Sequence, residues 1–226
     1  NTPYNIIEKL QNKVIVSCQA QENEPFYPTE CMMAMVQSVL NGGAEALRMA
    51  GPTHIKAVKN TTNVPVIGIT KPGIIPDNYK ELVYITPTFE DAESVADAGA
   101  DIIAIDATKR PRPKESLQEL ITLIHEKLQR PVMADISTID EAMEAYRLGA
   151  DIVSTTLSGY TTYSKQSAKP DFNLLDHLVH AVDIPVILEG KVSKPKHIKK
   201  GFKKGAYAVV VGSVITRPHV ITQTFM

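Results

Sequence analysis

The sequence predicts an α/β fold, a TIM (β/α)8 barrel, from three observations. Eight short apolar runs alternate with stretches of helical period, the runs begin in a fourfold alternating pattern, and the polar residues at their ends keep one parity. The runs are 14–17 (VIVS), 45–48 (EALR), 66–69 (VIGI), 102–105 (IIAI), 132–134 (VMA), 152–155 (IVST), 186–188 (VIL) and 207–211 (YAVVV). Each is the length of a buried strand, and with the segment that follows makes a βα unit of about 28 residues.

Between the runs, Leu117, Leu120, Ile121, Ile124 and Leu128 recur at helical spacing, as do Leu174, Leu175, Leu178, Val179 and Val182. Thr138 with Glu141 reads as a capping box opening a helix. The segment 83–88 (VYITPT) is taken as part of the loop after the third strand. Strands three, five and seven begin Pro-Val, at Pro65, Pro131 and Pro185. Strands two, four, six and eight begin Gly-Ala, at Gly43, Gly99, Gly149 and Gly205. A block of two βα units repeated four times suits a closed barrel, whose interior layers draw on alternate strands, whereas an open doubly wound sheet has no reason for it. The expected organisation is one barrel domain over 1–226, with 1–13 an N-terminal helical or extended segment.

The net charge of -1 gives no global attraction to nucleic acid or to an anionic membrane. No apolar run approaches the roughly 18 residues of a membrane span, and "NTPYNIIEKLQNK" is too polar for a signal peptide. The two cysteines, Cys18 and Cys31, have neither disulfide-framework number nor zinc-ligand spacing. A cytoplasmic protein that binds neither nucleic acid nor membrane is expected.

Side chains alternate faces along a strand, so positions of equal parity after an aligned start share a face. Counted from the strand starts, Gln19, Arg48, Lys71, Asp106, Asp135, Thr156, Glu189 and Gly212 fall on one parity at the carboxyl ends. In a barrel that parity faces inward, so these residues should converge at the catalytic face. The set has no histidine, which serves a transition metal poorly, and no metal or cofactor is expected. Two chemistries suit a lysine in such a ring. A neutral Lys71, beside Arg48 and partly buried, could remove a proton next to a carbonyl while Arg48 stabilises the oxyanion and Glu189 handles a second proton. Alternatively, Lys71 forms a Schiff base, as in aldolases of this fold.

The last two strand ends, "EGKVSKP" and "VVVGSVITRP", each place a glycine after a strand. Loops after strands seven and eight of a barrel frequently hold phosphate. Gly190, Gly212 and Ser213 can offer backbone N–H groups there, and Arg217 a fork of charged donors.

Eight segments, "IVSCQAQENEP" (15–25), "VIGITK" (66–71), "VYITPT" (83–88), "DATKRPRP" (106–113), "ADIST" (134–138), "STTLSGYT" (154–161), "ILEGKVSKP" (187–195) and "VVVGSVITRP" (209–218), together resemble the bacterial N-acetylmannosamine-6-phosphate 2-epimerases. The resemblance implies a cofactor-independent barrel enzyme of sialic acid catabolism. Such an enzyme interconverts the 6-phosphates of N-acetylmannosamine and N-acetylglucosamine by inversion at C2, and a homodimer is expected. By the same resemblance Lys71 is the base at C2 and Glu189 its partner acid/base. Gln19, Arg48 and Asp135 hold the sugar, and the glycine loops with Arg217 hold the phosphate. The chain departs from the family pattern in a longer segment after Lys71, in Lys191 where arginine is common, and in Met49-Ala50 where Ala-Asn is more usual. Two other readings stay open: another phosphosugar barrel such as a Schiff-base aldolase, or a non-catalytic phosphosugar-binding protein.

Three remaining features have plainer explanations. Six lysines between 194 and 204 alternate with Ile198 and Phe202 as the solvated face of a helix. His177 and His180 sit mid-helix, away from the strand ends. Cys18 has no histidine partner in view, and packing is its expected role.

Overall fold

A computed structural model describes residues 4–226. Of the N-terminal segment 1–13, the first three residues lie outside the described residues; the remainder contains α1 (Tyr4–Glu8). The order continues β1 (Val14–Cys18), α2 (Thr29–Asn41), β2 (Ala46–Ala50), α3 (Pro52–Lys59), β3 (Val66–Ile69), α4 (Phe89–Asp97), β4 (Ile102–Asp106), α5 (Leu117–Leu123), β5 (Val132–Asp135), α6 (Ile139–Arg147), β6 (Ile152–Ser154), α7 (Phe172–Ala181), β7 (Val186–Leu188), α8 (Pro195–Lys203), β8 (Ala208–Val211), and the short α9 (Ser213–Thr216) and α10 (Pro218–Gln223). All eight strands run parallel, each beside its sequence neighbour, and β1 pairs with β8 to close the barrel. Each expected apolar run overlaps one strand.

The fourfold alternation has a local cause. α2, α4, α6 and α8 all end in one hydrogen-bonding pattern. At the first, the Gly43 N–H donates to the Leu40 carbonyl and the Ala44 N–H to the Val39 carbonyl. Equivalent pairs form at Gly99-Ala100, Gly149-Ala150 and Gly205-Ala206. The glycine takes φ between +91° and +101° at these four sites, the left-handed stop that satisfies the last helical carbonyls and turns the chain into the next strand. Helices feeding odd strands end differently. α5 runs on through a π turn at Ile124–Leu128 and stops at Gln129, φ 51°, two residues before Pro131. The predicted helical stripe there is real, with Leu120, Ile121 and Ile124 buried, but its last turn is widened.

Strand parity divides the core. Leu47, Val66, Ile103 and Ile105 cluster with Met32, Val36, Ile55 and Val95 of the outer helices. Val153, Val186, Leu188 and Val209 do the same with Leu174, Leu175 and Leu178 of α7. The opposite parity (Ile15, Ala46, Ile67, Ile69, Ile102, Ala104, Met133, Ile152, Ile187, Ala208 and Val210) forms a separate cluster inside the barrel. Ile7 and Leu10 join it from the N-terminal segment, and Ile85 and Leu157 from the carboxyl side. Cys18 has the outward parity. It is buried with the helix-facing cluster, and burial pushes its thiol up to about 12, so it packs rather than reacts.

The segment 83–88 is more than a loop. β3 and β4 are in register only at Ile67↔Ile102 and Gly68↔Ile103. Above that point the Thr86 N–H donates to the Thr70 carbonyl, and the Asp106 N–H to the Ile85 carbonyl, at 3.1 and 3.0 Å. Residues 85 and 86 thus wedge between the two strand ends. Thr86 is fully buried at φ 43°, a strained conformation for a β-branched residue, and its Oγ1 accepts from the Thr70 N–H at 3.1 Å.

Candidate active site

A cavity of about 1160 Å³ opens at the carboxyl ends of the strands. Gln19, Lys71, Thr156, Glu189, Gly190, Gly212, Ser213 and Arg217 line it, with Tyr79, Tyr84, Tyr160 and Lys191 adding walls. Its size exceeds the roughly 300–1,000 Å³ usual for small-molecule sites, which leaves room for a phosphorylated sugar and water.

Glu189 directly follows β7, two residues beyond Ile187 on the same inward parity. Its backbone is fixed by the neighbouring strand end: the Thr155 hydroxyl donates to the Glu189 carbonyl at 2.9 Å, and the Glu189 N–H donates to Thr155 Oγ1 at 3.1 Å. Its carboxylate lies 3.2 Å from Arg48 Nη1. The Thr156 hydroxyl lies 3.1 Å from Glu189 Oε2 and 2.6 Å from Asp135 Oδ1, bridging the two carboxylates. Burial, together with the Asp135 charge, raises the Glu189 proton affinity above the ordinary carboxylate range, against the opposing pull of Arg48 and Lys71.

Arg48 and Asp135 sit one layer lower than expected. Arg48 is 1% exposed and Asp135 0%, and neither lines the cavity. Two hydrogen bonds, 3.0 Å from Nη1 and 2.6 Å from Nη2, join them in a fork. The Arg48 proton is held more tightly than usual, because Asp135 and Glu189 outweigh its own burial. Arg48 Nε is buried with no partner among the described residues. The pair forms a charged floor under Glu189 and Thr156.

Lys71 follows β3 two residues beyond Ile69, on the inward parity, and is open to the cavity. The surrounding protein and the Arg48 charge lower its pKa to about 8, against the pull of Glu189 and Asp135. An amine of this kind is a usable base near neutral pH.

Asp106 does not join the ring. It has the inward parity and is in register with Asp135, but it is fully buried and does not line the cavity. It accepts from the Thr108 N–H at 3.0 Å and the Thr108 hydroxyl at 2.7 Å, and pairs with Arg110. Parity fixes the side of the strand from which a side chain leaves, while the partner supplied by the following loop decides where it goes. Arg110 also lies 5.6 Å from the centre of the Tyr84 ring and donates to the Tyr79 carbonyl at 2.6 Å. Asp106 therefore braces two cavity tyrosines from behind.

Toward the other end, Gly190 has φ 98° and Gly212 caps α9. A Cβ at Gly212 would stand 3.5 Å from the Ser17 Cβ. Arg217 is paired with Glu24, a partner 193 positions away in the chain that no local pattern announces. Lys191 Nζ stands 4.7 Å over the Tyr160 ring. Among the described residues, no group of three or more His, Cys, Asp or Glu side chains is placed to hold a metal ion.

A closed (β/α)8 barrel with a lysine of lowered proton affinity and a supported glutamate in one carboxyl-end cavity is the architecture of a barrel enzyme acting on a small molecule. The family model described as "Putative N-acetylmannosamine-6-phosphate epimerase" matches residues 32–226. A protein of Caldanaerobacter subterraneus named "Putative N-acetylmannosamine-6-phosphate 2-epimerase" is 47% identical over 98% of this chain and 92% of its own length. One of the same name from Clostridium perfringens is 46% identical over 97% and 98%. The solved N-acetylmannosamine-6-phosphate 2-epimerase of Clostridium perfringens superposes with a TM-score of 0.90 at 44% identity, covering 97% of this chain and 94% of that one. The chain belongs to the N-acetylmannosamine-6-phosphate 2-epimerase family.

Proposed function

We propose that this protein inverts C2 of an N-acetylhexosamine 6-phosphate, interconverting N-acetylmannosamine 6-phosphate and N-acetylglucosamine 6-phosphate by proton abstraction and return. The observation that carries the reading is Lys71, its pKa lowered to about 8, lining one cavity with a Glu189 held by Arg48 and Thr156.

The C2 proton is acidic only once the ring opens and C1 becomes a carbonyl. Ring opening needs a group that takes the C1 hydroxyl proton and returns one to the ring oxygen, the role assigned to Glu189. The neutral Lys71 amine then takes the C2 proton. The C–H electron pair moves into the C1–C2 bond and the carbonyl pair onto the C1 oxygen, leaving a planar enolate, with the acetamido nitrogen still on C2, whose negative oxygen lies in the field of Arg48. A proton delivered to the opposite face of C2 completes the inversion. It comes from Lys71 after the planar intermediate rotates, or from Glu189 where the carboxylate keeps the proton taken from the C1 hydroxyl and water protonates the ring oxygen. Gln19 and Thr156 bind sugar hydroxyls from the cavity wall, and Asp135 acts through Arg48 and Thr156. Gly190, Gly212, Ser213 and Arg217 bind the phosphate.

Proton NMR of N-acetylmannosamine 6-phosphate with the protein in heavy water tests this: N-acetylglucosamine 6-phosphate should appear with deuterium at C2. A carbon–carbon cleavage product, or borohydride trapping of substrate on Lys71, would overturn it in favour of an aldolase. Binding without turnover would leave a sugar-phosphate receptor. A homodimer is proposed as the working state. Val214 and Ile215 of α9, with Phe225, give the C-terminal region an exposed apolar surface, and sedimentation at micromolar concentration measures the mass. A cytoplasmic location is proposed from the free thiols of Cys18 and Cys31. Among the described residues, no helix is long and apolar enough to cross a membrane.

A further inference from the structure

We propose that Glu24 is an internal competitor of the substrate phosphate: its carboxylate occupies Arg217 in the empty enzyme and must release it when a phosphorylated ligand enters. The inference rests on the proposed placement of the phosphate beside Arg217.

Glu24 lies on the segment joining β1 to α2 and lines the same cavity as Gly190, Gly212, Ser213 and Arg217. One carboxylate oxygen, Oε1, pairs with Arg217 Nη2 and lies 3.4 Å from His219 Nε2; the other accepts from the Gln21 N–H at 3.0 Å. An anion ringed by an arginine, a backbone N–H and an imidazole has the surroundings of a bound phosphate oxygen. The carboxyl is held below the ordinary range although burial works against it, because the Gln21 N–H, Arg217 and His219 together prevail.

Arg217 is incompletely satisfied in this arrangement. Its Nε is buried with no hydrogen-bond partner among the described residues. A carboxylate held by its own loop leaves this donor unmet, whereas a phosphate presents three acceptor oxygens and can take Nε and Nη2 as a fork. The ligand therefore offers Arg217 a hydrogen bond that Glu24 does not. Two anions on one guanidinium repel each other, so phosphate entry and Glu24 release are one step. The loop that gives way is itself tied across the cavity mouth. The Glu22 N–H donates to the Gly73 carbonyl at 3.0 Å, linking it to the segment after Lys71.

The apparent affinity for phosphate is then the intrinsic affinity scaled by the fraction of enzyme with Arg217 free. Glu24→Gln removes the charge while its amide oxygen still accepts from Gln21. It should lower the inhibition constant of inorganic phosphate and the KM for N-acetylmannosamine 6-phosphate together, each by ~3–10-fold. Competition by unphosphorylated N-acetylmannosamine should not move, which a general disturbance of the cavity would not spare. Glu24→Ala should shift the phosphate constant the same way, and serves if the glutamine variant folds poorly. An inhibition constant for phosphate that is unchanged or raised in these variants overturns the proposal. In parallel, Arg217→Gln should weaken phosphate inhibition. If phosphate does not compete in the unaltered enzyme, or Arg217→Gln leaves inhibition intact, the phosphate placement itself fails and this inference with it. If both controls behave and Glu24→Gln does not tighten binding, only the competition is wrong.

Discussion

Arg48 grips Asp135 through both terminal nitrogens, at 3.0 and 2.6 Å, and the pair lies beneath the cavity floor with almost no solvent contact. Two buried charges in good geometry offset much of each other's desolvation, so the loss of either strands the other. Arg48→Met should destabilise the fold by ~3–5 kcal/mol, measured as a lowered urea midpoint at neutral pH. Adding Asp135→Asn to that variant should restore part of the loss, because the stranded charge is then gone. A single variant as stable as the parent would mean that water reaches Asp135.

The pH profile is set by Lys71. An amine is a base only when neutral, and neutral Lys71 accumulates as pH rises through about 8. Initial rates at low substrate should therefore climb ~10-fold per pH unit on the acid side of that value and level above it. A profile flat between pH 6 and 8 would remove Lys71 as the base. Lys71→Ala should cut deuterium incorporation at C2 by a factor of ~10²–10⁴, the usual contribution of a positioned acid or base. Lys71→Arg should do no better, since a guanidinium keeps its proton.

The barrel and the parity of its ring were legible in the chain because they depend on short-range rules. The Gly-Ala starts are helix stops, the Pro-Val starts follow other terminations, and the alternation of faces places Glu189 over Ile187 without knowledge of any distant partner. The depth of each ring residue was not legible. Arg48 and Asp135 are 87 positions apart, and only their meeting lowers them from wall to floor. Asp106 left the ring because Thr108 and Arg110 lie within four residues and claim it first. The wedge of Ile85 and Thr86 is not legible because its backbone hydrogen bonds are single links to the ends of two different strands, leaving no repeated pattern to read.

Thr156 connects floor to cavity. Its hydroxyl, 2.6 Å from Asp135 and 3.1 Å from Glu189, favours the ionised form of Glu189. Thr156→Val keeps the shape and removes the hydroxyl, so the Glu189 proton affinity, already raised, should rise further. The Lys71 limb stays in place, but below it the profile should steepen at a higher pH than in the parent, where Glu189 takes up its proton, with a stability loss of ~1–2 kcal/mol for the broken hydrogen bonds. A variant with lower activity but no shift in that lower break would show that Thr156 contacts the sugar without tuning Glu189.

Gly68 tests how tightly the outside of the barrel supports the site. It lies on β3 with the outward parity, three positions before Lys71, and a Cβ there would stand 2.5 Å from the Ala100 Cβ and 3.1 Å from the Ile55 Cδ1. Ala100 has no longer side chain to swing aside, so β3 or the start of β4 must shift. Overpacking of this kind costs ~1–3 kcal/mol, which for a chain of this length lowers the thermal midpoint by ~2–10 °C. The same displacement falls where β3 and β4 are held by only two register pairs, directly below the Ile85–Thr86 wedge. Gly68→Ala should therefore reduce kcat/KM as well as the melting point, although it touches nothing in the cavity. Loss of stability with full activity would show that the wedge, rather than the strand pairing, holds Lys71 in place.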